Sequence, residues 1–188
     1  MQVLAVLPEG LEEAGVQELL ELGASSVRPF KRNISFEADL ACFYRIHLRA
    51  RLPFRFLREV ARFACNNPKE LYEELQRAFE WNEWLPPSKS FRVDVSGFTM
   101  GLTHSHFTAL QVKNALVDLQ RRIWGERSDV DLISPDFCIH LHLHNGYAVL
   151  SLDSSSESLH RRGYRAAMGA APLKENIAAG LIKISNWN

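Results

Sequence analysis

The sequence predicts an α+β fold: a partial ferredoxin-like N-terminal subdomain followed by an α/β unit with a mixed sheet. Three observations carry this prediction. The apolar run Gln2-Val3-Leu4-Ala5-Val6-Leu7 stops at Pro8 and Gly10 and gives way to helical spacing, so the chain opens strand then helix. Several later stretches place apolar residues three and four apart, the period of helices with one buried face. Two others alternate strictly, Phe91/Val93/Val95 and Ile139/Leu141/Leu143, the pattern of a sheet with one covered face.

The first helix runs to about Leu22, with Leu11, Gly15, Leu19 and Leu22 as its stripe and Gly23 as its left-handed stop. Its early glutamates suit the positive end of the helix dipole. Val27 to Phe30 and Asn33 to Phe36 read as short strands turning at Lys31-Arg32, and Ala38 to Arg49 reads as a helix whose apolar rows hold Leu40, Phe43, Ile46 or His47, and Leu48. Strand-helix-strand-strand-helix is a partial ferredoxin-like arrangement. Phe54 to Phe63 has strand composition without clean alternation. Asn67-Pro68 opens a helix buried through Leu71, Leu75 and Phe79, and Pro86-Pro87 marks the loop beyond it. A strand at Ser90 to Ser96 precedes the longest helix, Ser105 to Trp124, with Thr103 or Ser105 as its N-cap and Ala109, Val112, Leu116, Leu119 and Ile123 as its core stripe. Phe137 to His144 and Tyr147 to Leu152 flank Asn145-Gly146, the strongest hairpin signal in the chain.

With 188 residues, 46% of them hydrophobic, the chain can bury a real core. It has neither a membrane-length apolar run nor a basic leader with a cleavage site, so the expectation is a soluble cytoplasmic protein with no membrane partner. Cys42, Cys65 and Cys138 are scattered and lack any paired spacing, which points to buried free thiols rather than a disulfide or zinc framework. Net charge is zero, yet the charges are segregated. The first helix is acidic, the segment from Arg45 to Lys69 is rich in arginine, and the tail after Leu159 is basic.

His140, His142 and His144 share one strand face at steps of about 6–7 Å. A metal site would need a further ligand that the sequence does not supply, so a row facing solvent or RNA is expected and no metal is assigned. His104, Ser105 and His106 precede the long helix without the nucleophile elbow or placed carboxylate of a hydrolase. Helix capping accounts for that serine. No phosphate-binding glycine loop, dinucleotide fingerprint or metalloprotease motif occurs, so no catalytic residue is assigned.

The tail reads as a hinge. Arg161, Arg162 and Arg165 surround Gly163, Pro172 takes a first-turn position, and Leu173, Ile177, Leu181 and Ile184 recur at spacings of four, four and three. Nothing after this helix covers its stripe, so it reads as the first element of a further domain. The other reading is a helix docked back on the preceding fold.

The tail wording, His160-Arg161-Arg162-Gly163-Tyr164-Arg165 and then Ala171-Pro172-Leu173-Lys174-Glu175-Asn176-Ile177-Ala178-Ala179, resembles the junction between THUMP and catalytic domains in bacterial ribosomal RNA guanine-N2 methyltransferases. The resemblance covers essentially the whole chain. It includes Val3 to Leu22, Phe36-Glu37-Ala38-Asp39-Leu40, Thr103-His104-Ser105-His106-Phe107, Val112 to Asp118, Ile139 to Leu143 and Leu150-Ser151-Leu152-Asp153. Asn114 departs from the aspartate usual in the family. By resemblance, residues 1–50 form the ferredoxin-like subdomain, 43–154 the THUMP domain with an overlapping boundary, and 155–188 the hinge and first helix of a missing methyltransferase domain. The parent would transfer a methyl group from S-adenosylmethionine to a guanine exocyclic amine. This chain would hold structured, ribosomal RNA without performing the chemistry. Lys113, Arg121, Arg122, Arg161, Arg162 and Arg165 are the expected RNA contacts, while Lys174, Glu175 and Asn176 would border the cofactor pocket of the full-length protein. A transfer RNA methyltransferase of the same architecture and a protein-interaction module are the two alternatives. In the second, the stripe of the last helix docks a partner, and an uncovered stripe also leads to self-association.

Overall fold

The computed structural model describes residues 1–78, 80–155, 157–163, 165, 167, 171–185 and 187, with the backbone alone at Asn82. Phe79, expected on the buried side of its helix, and Tyr164 of the tail lie outside these. Two compact units result, Met1–Arg58 with Ser154–Asn188, and Glu59–Asp153.

The first unit contains β1 (Gln2–Val6), α1 (Glu12–Glu21), β2 (Ser25–Phe30), β3 (Asn33–Glu37), α2 (Leu40–Arg49) and the opening of β4 (Arg55–Ala64). Its strand order is β2-β3-β1-β4, every neighbour antiparallel. Arg55 to Arg58 pairs with Val6 to Val3, so the strand without clear alternation supplies the fourth member of a complete ferredoxin-like sheet. Val3, Ala5, Ile34, Phe36 and Phe56 present one face to α1 and α2.

Helix α1 buries its expected stripe and one charged residue besides, whereas α2 departs from its expected stripe. In α1 the charged Glu18 is buried beside Gly15 and Leu19, because its carboxylate accepts the Arg51 and Leu52 N–H groups at 2.9 and 3.1 Å. Burial pushes its pKa up against those two hydrogen bonds. In α2, Asp39 caps the first turn by accepting from Cys42 N, and Cys42, Phe43 and Ile46 are buried. Leu40 and Leu48, expected in the core, are 55% and 78% exposed. Leu40, Tyr44 and Leu48 form a second apolar row on this helix, and only one row can meet the sheet.

After the second unit the chain returns along β4. Ser154 N donates to Phe56 O, Ser155 Oγ accepts from Phe56 N, and Leu159 N donates to Phe54 O. The last helix, α6, spans Glu175–Ile184 with Lys174 as N-cap, so Pro172 lies ahead of its first turn. It docks on the first unit, but not through Leu173, Ile177, Leu181 and Ile184. Its buried residues are Asn176 and Gly180, while Leu181 and Ile184 are each 56% exposed. Asn176 Nδ2 donates to Leu52 O at 3.2 Å, and a Cβ on Gly180 would stand 2.5 Å from Leu11 Cδ1, so a small residue and an amide make the contact.

The second unit holds the rest of β4, then α3 (Pro68–Leu75), the short α4 (Trp81–Trp84), β5 (Phe91–Gly97), α5 (Ser105–Trp124), β6 (Phe137–His144) and β7 (Tyr147–Asp153). Its strand order is β4-β7-β6-β5, with β5 and β6 parallel and β6 and β7 antiparallel, a mixed sheet as expected. Leu71, Leu75, Val112, Leu116, Leu141 and Leu150 form its core. The N-cap of α5 is His104, whose Nδ1 accepts from Phe107 N at 3.4 Å; Thr103 and Ser105 do not fill that role. Ile123 is 49% exposed. The inward position nearby belongs instead to Gln120, which donates to Leu85 O and Ser128 Oγ and accepts from Ser128 N.

Gln120→Leu keeps the volume but strands a buried carbonyl and a buried amide. The expected cost is about 2–4 kcal/mol of unit stability, read by urea denaturation.

Candidate nucleic-acid interface

On β6, alternation buries Ile139, Leu141 and Leu143 and turns His140, His142 and His144 to the opposite face. Ser96 on the parallel neighbour lies between two of them, its Oγ 3.3 Å from His140 Nε2 and 2.9 Å from His142 Nδ1. The His142 and His144 rings stack with centroids 6.2 Å apart. Burial, then the nearby charges of His144 and Arg62, hold the His142 pKa below the usual imidazole range. Among the described residues no His, Cys, Asp or Glu cluster is arranged to hold a metal.

The three basic residues expected on α5 lie on one helix, with Lys113 and Arg122 about half a turn apart around its axis. Lys113 Nζ reaches Asn114 Oδ1 at 3.3 Å, Arg121 is exposed, and exposed Arg122 donates to Gln76 Oε1 at 3.2 Å. Lys113 and Arg121 are separated by about 12 Å of helix rise, comparable to two phosphate steps on one strand.

The tail arginines, in the first unit, have three different environments. Arg161 is exposed. The Arg162 guanidinium donates to four carbonyls: Leu159 at 3.1 Å, His47 at 3.0 Å, Leu48 at 3.1 Å and Ala50 at 2.7 Å. The last three close the carboxyl end of α2, where carbonyls have no helical partner. Arg165 pairs with Glu175 at 3.2 Å and donates to Leu173 O at 2.8 Å. The residues expected beside a cofactor are engaged within the same unit. Lys174 lies over the Phe54 ring at 5.3 Å, Glu175 pairs with Arg165, and Asn176 binds Leu52 O. Together with Glu18 and Trp187, Arg162, Arg165 and Asn176 line a cleft of about 1190 Å³.

Sequence reasoning missed the exposed apolar side chains of the β5–α5 loop and the first turn of α5. Phe98, Met100 and Phe107 are exposed there, whereas Thr99 is buried and its Oγ1 has no hydrogen-bond partner among the described residues. Phe98 and Met100 between Gly97 and Gly101, two glycines that break a strand, were the available signal.

The architecture is that of a tandem α+β protein, a ferredoxin-like unit leading into a helix-backed mixed sheet. Residues 2–57 match the RlmL ferredoxin-like domain and residues 65–153 match the THUMP domain, and the chain carries both. A putative RNA methyltransferase from Synechocystis is 45% identical over 97% of this chain and 47% of its own length. The ribosomal RNA large subunit methyltransferase K/L of Ectopseudomonas mendocina is 44% identical over 99% of this chain and 26% of its own length. The chain thus spans between a quarter and a half of these relatives. Among solved structures, a predicted N6-adenine-specific DNA methylase from Listeria monocytogenes superposes with a TM-score of 0.84 at 28% identity, over 99% of this chain and 48% of that one. A putative methyltransferase in complex with SAH gives 0.82 at 25% identity, over 99% and 49%.

Arg162→Met, which keeps the stem and removes the donors, is expected to destabilise the first unit by about 2–4 kcal/mol in chemical denaturation. Arg161→Gln is expected to change it by no more than about 0.5 kcal/mol. Because the His142 pKa is lowered in the folded state, its contribution is present above the ordinary imidazole value of ~6.5 and is lost as pH falls through the folded value. Melting temperature across that range should therefore fall less steeply on acidification in His142→Gln than in the wild type.

Proposed function

We propose that this chain is the RNA-capturing portion of an S-adenosylmethionine-dependent methyltransferase acting on guanine N2 of large-subunit ribosomal RNA. The observation that carries the reading is the tandem of RlmL ferredoxin-like and THUMP domains, in a chain that relatives named as ribosomal RNA methyltransferases match over nearly its full length. Capture needs cations and hydrogen-bond donors at phosphate spacing rather than a reactive constellation, since structured RNA is held through shape and backbone contacts. Lys113, Arg121 and Arg122 supply cations along α5, Lys113 and Arg122 on opposite sides of the helix, and exposed Arg161 adds positive charge in the first unit, where Arg165 is paired with Glu175.

Arg162 serves this reading indirectly. With four donors on protein carbonyls, it sets the position of its neighbours. Lys174, Glu175 and Asn176 anchor α6 in the same way, and their polar atoms are turned to Phe54, Arg165 and Leu52. That arrangement does not fit a cofactor contact, so S-adenosylmethionine is assigned to the full-length protein and no step is routed through these three residues.

A protein-interaction module is the second reading, favoured by the half-exposed Leu181, Ile182 and Ile184 of α6. A second copy is one occupant of that face, and sedimentation velocity over a concentration series would detect it.

The deciding experiment is fluorescence anisotropy with a labelled ribosomal RNA hairpin over a salt series. Log affinity should fall linearly with log salt, and Lys113→Gln and Arg121→Gln should each flatten the slope by roughly one. A transfer RNA bound more tightly than the ribosomal hairpin would favour the transfer RNA alternative. Absence of binding at low salt would overturn RNA capture by this chain.

A further inference from the structure

We infer that the open edge of β5 receives the β5 of a second copy of this chain, antiparallel and related to it by a two-fold axis at Val95. The sheets of the two THUMP units then run on into one another.

The alternation of a parallel ladder identifies the open groups. Ser90 O accepts from Phe137 N on the β6 side, whereas Phe91 N donates to Asp129 O and Phe91 O accepts from Asp131 N on the outer side. Val93 and Val95 point the same way as Phe91, and among the described residues no partner answers their N–H and C=O groups.

The segment that covers Phe91 makes a single bridge, to Val130, and then departs. Asp131 Oδ1 accepts from Ile133 N and Ser134 N at 2.8 and 3.1 Å, and Arg92 donates to Leu132 O at 3.2 Å, so the chain turns off the edge at that point. The turn leaves Val130 43%, Leu132 69% and Ile133 93% exposed. Apolar side chains are thus fastened beside an unpaired strand.

A free edge is ordinarily blunted. In the first unit, the edge strand β2 carries Pro29, a left-handed Ser26 at φ +52° and a register shift between Ser25 and Arg28. β5 has none of these. Its residues pair with β6 in unbroken register from Phe91 to Gly97, it contains neither proline nor lysine, and its two charges, Arg92 and Asp94, neutralise each other at 3.1 Å.

The sequence of β5 makes it a fitting partner for itself. Residues directly opposite in an antiparallel pair share a face, so valines meet on the core side while Arg92, Asp94 and Ser96 lie on the other. An axis at Val93 would set Val95 against Phe91, whose backbone groups are taken. One at Asp94 would oppose two carboxylates. With the axis at Val95, the two valines exchange both hydrogen bonds, Val93 meets Gly97, and Asp94 meets Ser96. Arg92 holds only Oδ2 of that carboxylate, so Oδ1 faces a hydroxyl and no charge faces its like. The carboxyl end of each strand runs toward Val130, Leu132 and Ile133 of the other copy and covers them. The contact is isologous, and it turns both histidine rows to one side of the joined sheet.

Sedimentation velocity of the 188-residue chain over a concentration series is expected to show monomer passing to dimer. Val95→Pro removes the central donor and leaves the β6 ladder intact, since Val95 gives that ladder no bond. It should raise the dimer dissociation constant by about 10- to 100-fold with the circular dichroism spectrum unchanged. Ser96 reports the register through side chains alone. Ser96→Lys, opposite Asp94, should tighten the dimer and Ser96→Asp should loosen it, each by about 2- to 20-fold. A monomer at every concentration would overturn the inference, as would a dimer on which the two Ser96 variants act alike. A dimer lost in Leu181→Glu and kept in Val95→Pro belongs to the α6 face and would overturn it equally.

Discussion

The carboxyl end of α2 is the constraint on which the tail depends. A helix leaves its last carbonyls without partners, and here they collect beside the point where the chain comes back from the second unit. Arg162 answers three of them and also the carbonyl of Leu159 in its own segment, so one guanidinium ties the returning strand to the helix. A cation at that end also meets the negative pole of the helix dipole. His47 adds a second tie, with Nδ1 on Phe43 O and Nε2 2.9 Å from Ser154 Oγ. The rest of the tail inherits this placement: Arg165 holds Glu175, Asn176 holds Leu52, and Gly180 admits Leu11. The basic tail is therefore a fastened segment of the first unit, with Arg161 as its outward charge.

The second unit uses its polar groups differently. Its buried ones, such as Gln120 and Ser128, are hydrogen-bonded within the core, with Thr99 Oγ1 the exception among the described residues, and the end of β5 and β6 keeps histidines and exposed rings. The function proposed above divides the labour along the same line, the ferredoxin-like unit positioning the tail and the THUMP unit holding RNA. The buried thiols fit a structural role too, since burial pushes Cys65 up to about 11, where it stays protonated and unreactive at neutral pH.

How much was legible in the sequence depends on which forces leave a pattern. β6, its turn and β7 were readable nearly to the residue, because Asn145 and Gly146 both adopt positive φ and the flanking alternation leaves one register. The rows of α2 were not, because Leu40, Tyr44 and Leu48 form a stripe as apolar as the one actually buried. The docking face of α6 was misread for the opposite reason: an amide and a glycine make the contact, and neither registers as hydrophobic. Glu18, Gln120 and Arg162 look solvated in sequence and are held in place by backbone groups distant along the chain. Helix α4 has four residues, too few to show a period. At the candidate interface, the row of histidines and the basic residues of α5 were visible as pattern. The orphaned Thr99 hydroxyl was not, since it depends on what its neighbours fail to offer.

The most direct test of this division is hydrogen exchange by mass spectrometry, comparing the free chain with the chain bound to a ribosomal RNA hairpin. Protection should appear in the segment from Gly97 through the first turns of α5, with α2 and its carboxyl end exchanging equally slowly in both states. Protection confined to α2 and the tail, with the β5–α5 loop unchanged, would contradict it.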